Sequence, residues 1–288
     1  MYNDLIKAES DDGRGKTDLK ISLAGDLGSG KSTVTDLLLK ATGAERYTTG
    51  KIMRDLAAAR NMTIDEFNRS IEGNPEVDKL IDDGLRALSD DPRDLVIDSR
   101  MAWHFTRGTF RVYMTTEPEI AAARIMAAGR EGESFKTLDE AVTRIAARRA
   151  SEKKRYFEFY GVDITDLFNY DLVIDTSYAT PQQIAEAILS AHSDWQRDKA
   201  TRACLVCPRR LRYPDDPPDE TAIAACDRII ETGEKLPLSD VFFEGGGFYL
   251  AGDPAAALSV ASYDLPFVPC RLVHGQVDRT YIRMENTL

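Results

Sequence analysis

Short apolar runs alternate along the chain with stretches in which apolar positions return every three or four residues. "LKISLA" (19–24) is a run of the first kind, closed by a glycine, and predicts a buried strand. "KSTVTDLLLKAT" is of the second kind, with Val34, Leu37 and Leu38 on one face, and predicts a helix. A second helix is predicted over 50–60. A third is predicted from Thr63, whose hydroxyl and Glu66 three residues on form a capping box. Strands follow at 94–100 ("DLVIDSR"), 110–116 ("FRVYMTT") and 170–177 ("YDLVIDTS"). Between them lie helices: "EPEIAAARIMAA" with Pro118 in its first turn, the long "TLDEAVTRIAARRASEKKRYFEFYG", and "TPQQIAEAILSAH". Such alternation implies an α/β fold, a parallel sheet flanked by helices.

The pattern changes after Trp195. Residues 196–220 are charged and rich in proline (Pro208, Pro214, Pro217, Pro218) and are expected to form a linker. Residues 221–288 hold one helical stretch and several short strands, the pattern of a small C-terminal α+β domain. Residues 1–18 read as a loose arm. The main domain is therefore expected over 19–195.

The whole chain has 288 residues, of which 43% are hydrophobic and 30% charged. No apolar run reaches the length of a membrane span, and the charged start lacks a secretory apolar core, so a cytoplasmic location is expected. The net charge of −11 argues against a nucleic-acid partner and makes any local basic cluster informative. Cys204 and Cys207 form a C-x-x-C pair, half of a zinc pattern. Cys226 and Cys270 supply no second pair, so ordinary thiols are the expectation.

Chemistry enters with "GDLGSGKST". Residues Gly25, Asp26, Leu27, Gly28, Ser29, Gly30, Lys31, Ser32 and Thr33 fit the phosphate-loop pattern G-x-x-x-x-G-K-[ST]. The glycines permit a tight turn whose N–H groups face an anion, and the helix that follows adds its N-terminal dipole. Lys31 is expected on the β- and γ-phosphates of a nucleoside triphosphate, with Ser32 on Mg²⁺. Asp26 inside the loop would repel a phosphate unless it is turned away or set beside the metal.

The acceptor is decided by what surrounds it. A hydroxyl needs a carboxylate to take its proton. A phosphate is already ionised and needs cations to bring two polyanions together. Arg54 and Arg100 fall near predicted element ends. Arg144, Arg148 and Arg155, at about 100° per residue, project from one side of the long helix. These arginines favour a phosphate acceptor. Asp98, at the end of its strand, orients the Mg²⁺ shell or acts as a base toward a hydroxyl. A third reading makes the chain an ATP-switched binding module acting through its C-terminal part.

Residues 19–192 resemble the cytidylate kinase-like branch of P-loop nucleoside monophosphate kinases in its short archaeal form. The likeness rests on "GDLGSGKST", "TTGKIMRDLAAARNMTIDEFN", "VIDSRMAWHF" and "RRASEKKRYFEFYGVDITDLFNYDLVIDTS" in that order. It implies ATP as donor, Mg²⁺, and CMP or dCMP as acceptor. Arg54 would hold the acceptor phosphate, with Asp98 and Arg100 at the acceptor site. Arg148 and Arg155 would close over the transferring group, and the loop at Tyr178 would approach the adenine. In "VIDSRMAWHF", Trp103 and His104 are expected in a side pocket or the core, with His104 outside the chemistry. The C-terminal stretch "LPLSDVFFEGGGFYLAGDPAAALSVASYDLPFVPCRLV" resembles ParB or sulfiredoxin-like domains. Their turn carries G-x-x-R, whereas this chain reads "GDPAAAL" without the arginine. A degenerate module for structure, self-association or a protein partner is expected.

Overall fold

The computed structural model describes residues 19–49, 57–62, 75–128 and 135–284, and side chains in the helix that begins at 75 from residue 79 onward. Arg54, the Thr63 capping box and most of the predicted second helix lie outside the described residues.

Among the described residues, five strands carry the first part of the chain: β1 (Lys20–Gly25), β2 (Glu45–Thr48), β3 (Leu95–Asp98), β4 (Phe110–Thr115) and β5 (Leu172–Asp175). All five run parallel in the order 2-3-1-4-5. Around them lie α1 (Lys31–Thr42), α2 (Pro75–Ala87), α3 (Ala102–Phe105), α4 (Pro118–Ala128), α5 (Leu138–Tyr160) and α6 (Pro181–Arg197). Alternation along β1 sends Ile21 and Leu23 to one face, where they meet Val34 and Leu38 of α1 and Ile184 and Ile188 of α6. On the other face Ala24, Ile97, Tyr113 and Val173 pack with Leu85 of α2 and with Trp103 and Phe105 of α3. Each such buried aliphatic contributes about 1.5–3 kcal/mol over its exposed state. Helix α5 starts where the Thr137 hydroxyl accepts from Glu140 N–H, and ends at Gly161, whose φ of 67° continues no helix.

The expected linker is not one. Residues 196–220 contain β6 (Ala203–Val206) and β7 (Leu211–Pro214), and β6 joins β5 in parallel with Leu172 opposite Ala203. Pro208 starts the short turn between these strands and Pro214 closes β7, so neither interrupts a ladder. The chain continues through α7 (Glu220–Thr232), β8 (Ser239–Glu244), β9 (Gly247–Leu250), α8 (Ala255–Ser262), β10 (Val268–Leu272) and β11 (Tyr281–Arg283). Among the described residues these strands extend the first sheet into one of eleven strands, ordered 11-7-9-8-10-6-5-4-1-3-2. One apolar cluster runs from Ile97 and Val173 through Val206 to Phe248 and Val260. The C-terminal α+β part thus shares both sheet and core with the part before it.

Cys204 and Cys207 are three positions apart on an extended segment, which sends their side chains to opposite faces. Cys204 enters one apolar cluster and Cys207 the other. Burial pushes both thiols upward, Cys204 to about 12. Among the described residues no group of three or more His, Cys, Asp or Glu is placed to hold a metal ion. No helix among them is long and apolar enough to cross a membrane.

Candidate active site

The loop between β1 and α1 is shaped by two close approaches. Gly25 has φ 139°, and a Cβ there would lie 2.2 Å from the Met114 carbonyl oxygen of β4. Gly28 has φ 75°, and its Cβ would lie 2.6 Å from the Ala121 carbonyl oxygen of α4. Only glycine fits either position. Gly30, in the left-handed region, hands the loop over to α1.

Lys31 folds back across this loop. Its Nζ donates to the carbonyls of Gly25 at 2.9 Å and Asp26 at 2.7 Å. Burial and, after it, the Arg100 charge lower its pKa to about 8, with Asp98 opposing the shift. Asp98 therefore stands within electrostatic reach of the ammonium, at the end of β3. Arg100 donates through Nη1 to the Gly25 carbonyl, and its Nε lies 3.2 Å from Glu152 of α5. Trp103 donates from Nε1 to the Arg100 carbonyl at 2.9 Å, so this buried ring fixes the backbone that aims the guanidinium. Ser32 and Thr33 are exposed in the first turn of α1.

Asp26 faces away from the loop's interior. Its carboxylate accepts from Tyr113 Oη at 2.7 Å, Thr115 Oγ1 at 3.0 Å and Thr116 N–H at 3.1 Å. Arg149 of α5 completes the set at 3.1 Å. The repulsion expected of Asp26 is removed by this pairing.

The basic stripe of α5 divides. Arg148 reaches the cleft through Glu152, at 3.4 Å. Arg144 pairs with Glu140 at 3.6 Å, and Arg155 donates to the Tyr156 hydroxyl at 3.2 Å, so neither joins the loop here. The residues that do face inward are Arg149, Glu152, Tyr156 and Tyr160, at spacings of three and four. Tyr156 and Tyr160 pack against the core and turn that face toward the sheet. In the sequence, the aromatic pair four residues apart is the signal that turns Arg149 inward. The resulting cleft is lined by Gly25, Leu27, Arg100, Arg149, Glu152 and Tyr170, among others.

On the far side of the loop, Arg124 of α4 was also missed. It donates to the carbonyls of Gly28 at 3.4 Å, Thr176 at 2.7 Å and Ser177 at 3.1 Å. It thereby ties the phosphate loop to the loop after β5. There Tyr178 donates to Glu117 at 2.7 Å.

A glycine cradle at the carboxyl end of a 2-3-1-4-5 parallel sheet, roofed by an arginine-bearing helix, defines a P-loop phosphotransferase. Residues 21–165 match the family model described as AAA domain. A cytidylate kinase of Archaeoglobus fulgidus is 33% identical over 174 residues, 60% of this chain and 94% of that one. One from Thermoplasma volcanium is 32% identical over 198 residues, 67% and 99% of the two chains. A sulfiredoxin structure from Arabidopsis thaliana aligns with 25% of this chain and 85% of its own, at 16% identity and a TM-score of 0.23. The chain belongs to the cytidylate kinase family and is a nucleoside monophosphate kinase.

Proposed function

We propose that the enzyme moves the γ-phosphoryl group of ATP to a pyrimidine nucleoside monophosphate, CMP or dCMP, giving the diphosphate. The observation that carries this reading is Arg100, whose guanidinium bonds the Gly25 carbonyl at the rim of the cradle. A cation there stands between donor and acceptor, where two polyanions must meet. Lys31 leaves its carbonyl partners for the donor's β- and γ-phosphates. The backbone N–H groups of the loop and the N-terminus of α1 add positive potential. Arg54 and Arg100 hold the acceptor phosphate, with Asp98 at the acceptor site. Arg148 and Arg155 come in when α5 closes, which excludes water and limits hydrolysis.

The oxygen donors of Ser32, exposed in the first turn of α1, and of Asp98, within reach of Lys31, fit Mg²⁺, a cation that prefers oxygen ligands. Ser32 would hold it and Asp98 would orient its water shell, and when bound it supplies charge neutralisation to the phosphates. Tyr178 lies on the loop that meets the donor's adenine. The location that suits this reaction is the cytoplasm.

The test is an acceptor panel with ATP and the full chain, following diphosphate formation from CMP, dCMP, UMP, AMP and GMP. CMP and dCMP are expected to turn over fastest, and Lys31→Ala to abolish turnover. Product formation no faster than ATP hydrolysis across the panel would overturn the proposal. A small-molecule hydroxyl accepted in place of these, with the rate lost in Asp98→Asn while ATP still binds, would move Asp98 into the role of base.

A further inference from the structure

The strands beyond residue 200 do not stop at the sheet edge. Arg283 on β11 donates through Nε to the Arg209 carbonyl at 3.1 Å. Its Nη2 bonds Glu117 Oε1 and lies 3.3 Å from the Tyr178 hydroxyl. The Arg209 guanidinium sits over the Tyr178 ring, 5.7 Å from its centre. Tyr178 in turn donates to the other oxygen of Glu117. Two arginines from outside the family-matched region thus converge on one tyrosine and one glutamate beside the phosphate loop.

The position of that tyrosine gives the contact meaning. In an in-line transfer the acceptor and the remainder of the donor lie on opposite sides of the moving group. Asp98 and Arg100 lie at the end of β3, on one flank of β1. The donor's nucleoside must therefore leave over the other flank, across α4 and the loop after β5. Arg124 binds that loop to Gly28 of the cradle, so the wall offered to the nucleoside is residues 176–180. Tyr178 is 39% exposed, open to a ligand, while its hydroxyl is held.

We infer that Arg283, with Arg209, positions the Tyr178 loop and makes the last strand a determinant of donor-nucleoside binding. The inference rests on the proposed function for the identity of the donor flank. Arg283 is a positioning residue, since it acts through Glu117 and Tyr178. A charge-assisted bond held at 28% and 13% side-chain exposure fixes the loop better than a solvent-exposed pair does.

The experiment compares two ligands by titration calorimetry on the full chain: ADP, which carries a nucleoside, and inorganic tripolyphosphate, which offers only phosphates. Arg283→Gln is expected to weaken ADP about ten-fold while tripolyphosphate stays within about two-fold. Arg283→Lys, which keeps one charged donor, should recover part of the loss. A merely structural role would weaken both ligands together, and that result overturns the inference, as does an unchanged ADP affinity. Tyr178→Phe, at a partly exposed site that leaves β11 intact, serves if Arg283→Gln does not fold, with the same selective loss expected and the same two results overturning it. Neither titration uses an acceptor. Failure here leaves the kinase reading standing, and an acceptor panel without turnover would leave these titrations intact.

Discussion

Arg149 of α5 lies 3.1 Å from Asp26 of the phosphate loop, and both side chains line the cleft. The basic helix is therefore anchored to the loop by a charge pair. Tyr113 joins the two, donating to Asp26 and accepting from Arg149 at 3.1 Å.

Breaking the anchor should cost stability first. Asp26→Ala strands the Tyr113 hydroxyl and the Thr116 N–H, and about 2–4 kcal/mol of destabilisation is expected. Arg149→Ala should cost less, because the arginine side chain is 36% exposed and solvent screens its charge. Combining the two should be less than additive, with a coupling of about 1 kcal/mol in a denaturant double-mutant cycle. Additivity would mean that the pair does not act as one unit.

Lys31 sets a pH dependence. Its ammonium is held at about 8 by burial and by Arg100, against 10.5 when free. Between those values the unfolded chain binds more protons at this site, so the site makes the free protein more stable as pH rises through the window. Triphosphate binding needs the charged form and goes the other way. ATP affinity should fall from about pH 8 upward, approaching ten-fold per pH unit. Calorimetry in two buffers of different ionisation enthalpy should find proton uptake on binding above pH 8. An affinity flat from pH 7 to 9.5 would refute the assignment.

Arg100→Met probes the same charge from the acceptor side. Removing the guanidinium relieves its repulsion of Lys31, so the pH midpoint for ATP binding should move upward. The KM for the monophosphate should rise at least about ten-fold, the loss of a charged hydrogen-bonding partner. A change in the ATP midpoint without a change in acceptor KM would take Arg100 out of the acceptor site.

The phosphate loop was legible because its chemistry is local: nine consecutive residues, a strand before and a helix after. Strands β1, β3, β4 and β5 were legible as apolar runs for the same reason. Arg149 was not, because which face of α5 turns inward is decided by Tyr156 and Tyr160 packing on a core distant in sequence. Strand β2, "ERYT", keeps no residue fully buried and so carries no apolar run to read. The two strands in 203–214 were hidden by composition. Prolines and charges mark a loop locally, yet here Pro208 lies between the strands and Pro214 closes β7, and only pairing with β5 and β9 shows the strands themselves.

That pairing leads to the last prediction. Arg210 is 3% exposed in its side chain and bonds Asp175, which is 0% exposed, at 2.8 Å. It also reaches Thr115 Oγ1 of β4 at 3.2 Å and the Gly246 carbonyl at 3.1 Å. One guanidinium thus pins the C-terminal strands to the ends of β4 and β5. Removing it leaves a buried carboxylate without its counter-ion, at a cost of roughly 3–5 kcal/mol. Arg210→Met should therefore lower Tm by about 10 °C. Because sheet and core are shared, wild-type protein should unfold in one cooperative calorimetric transition. The variant should lower that single transition as a whole. Two separate transitions, with only the later residues affected by Arg210→Met, would mean that the C-terminal part is an independent domain.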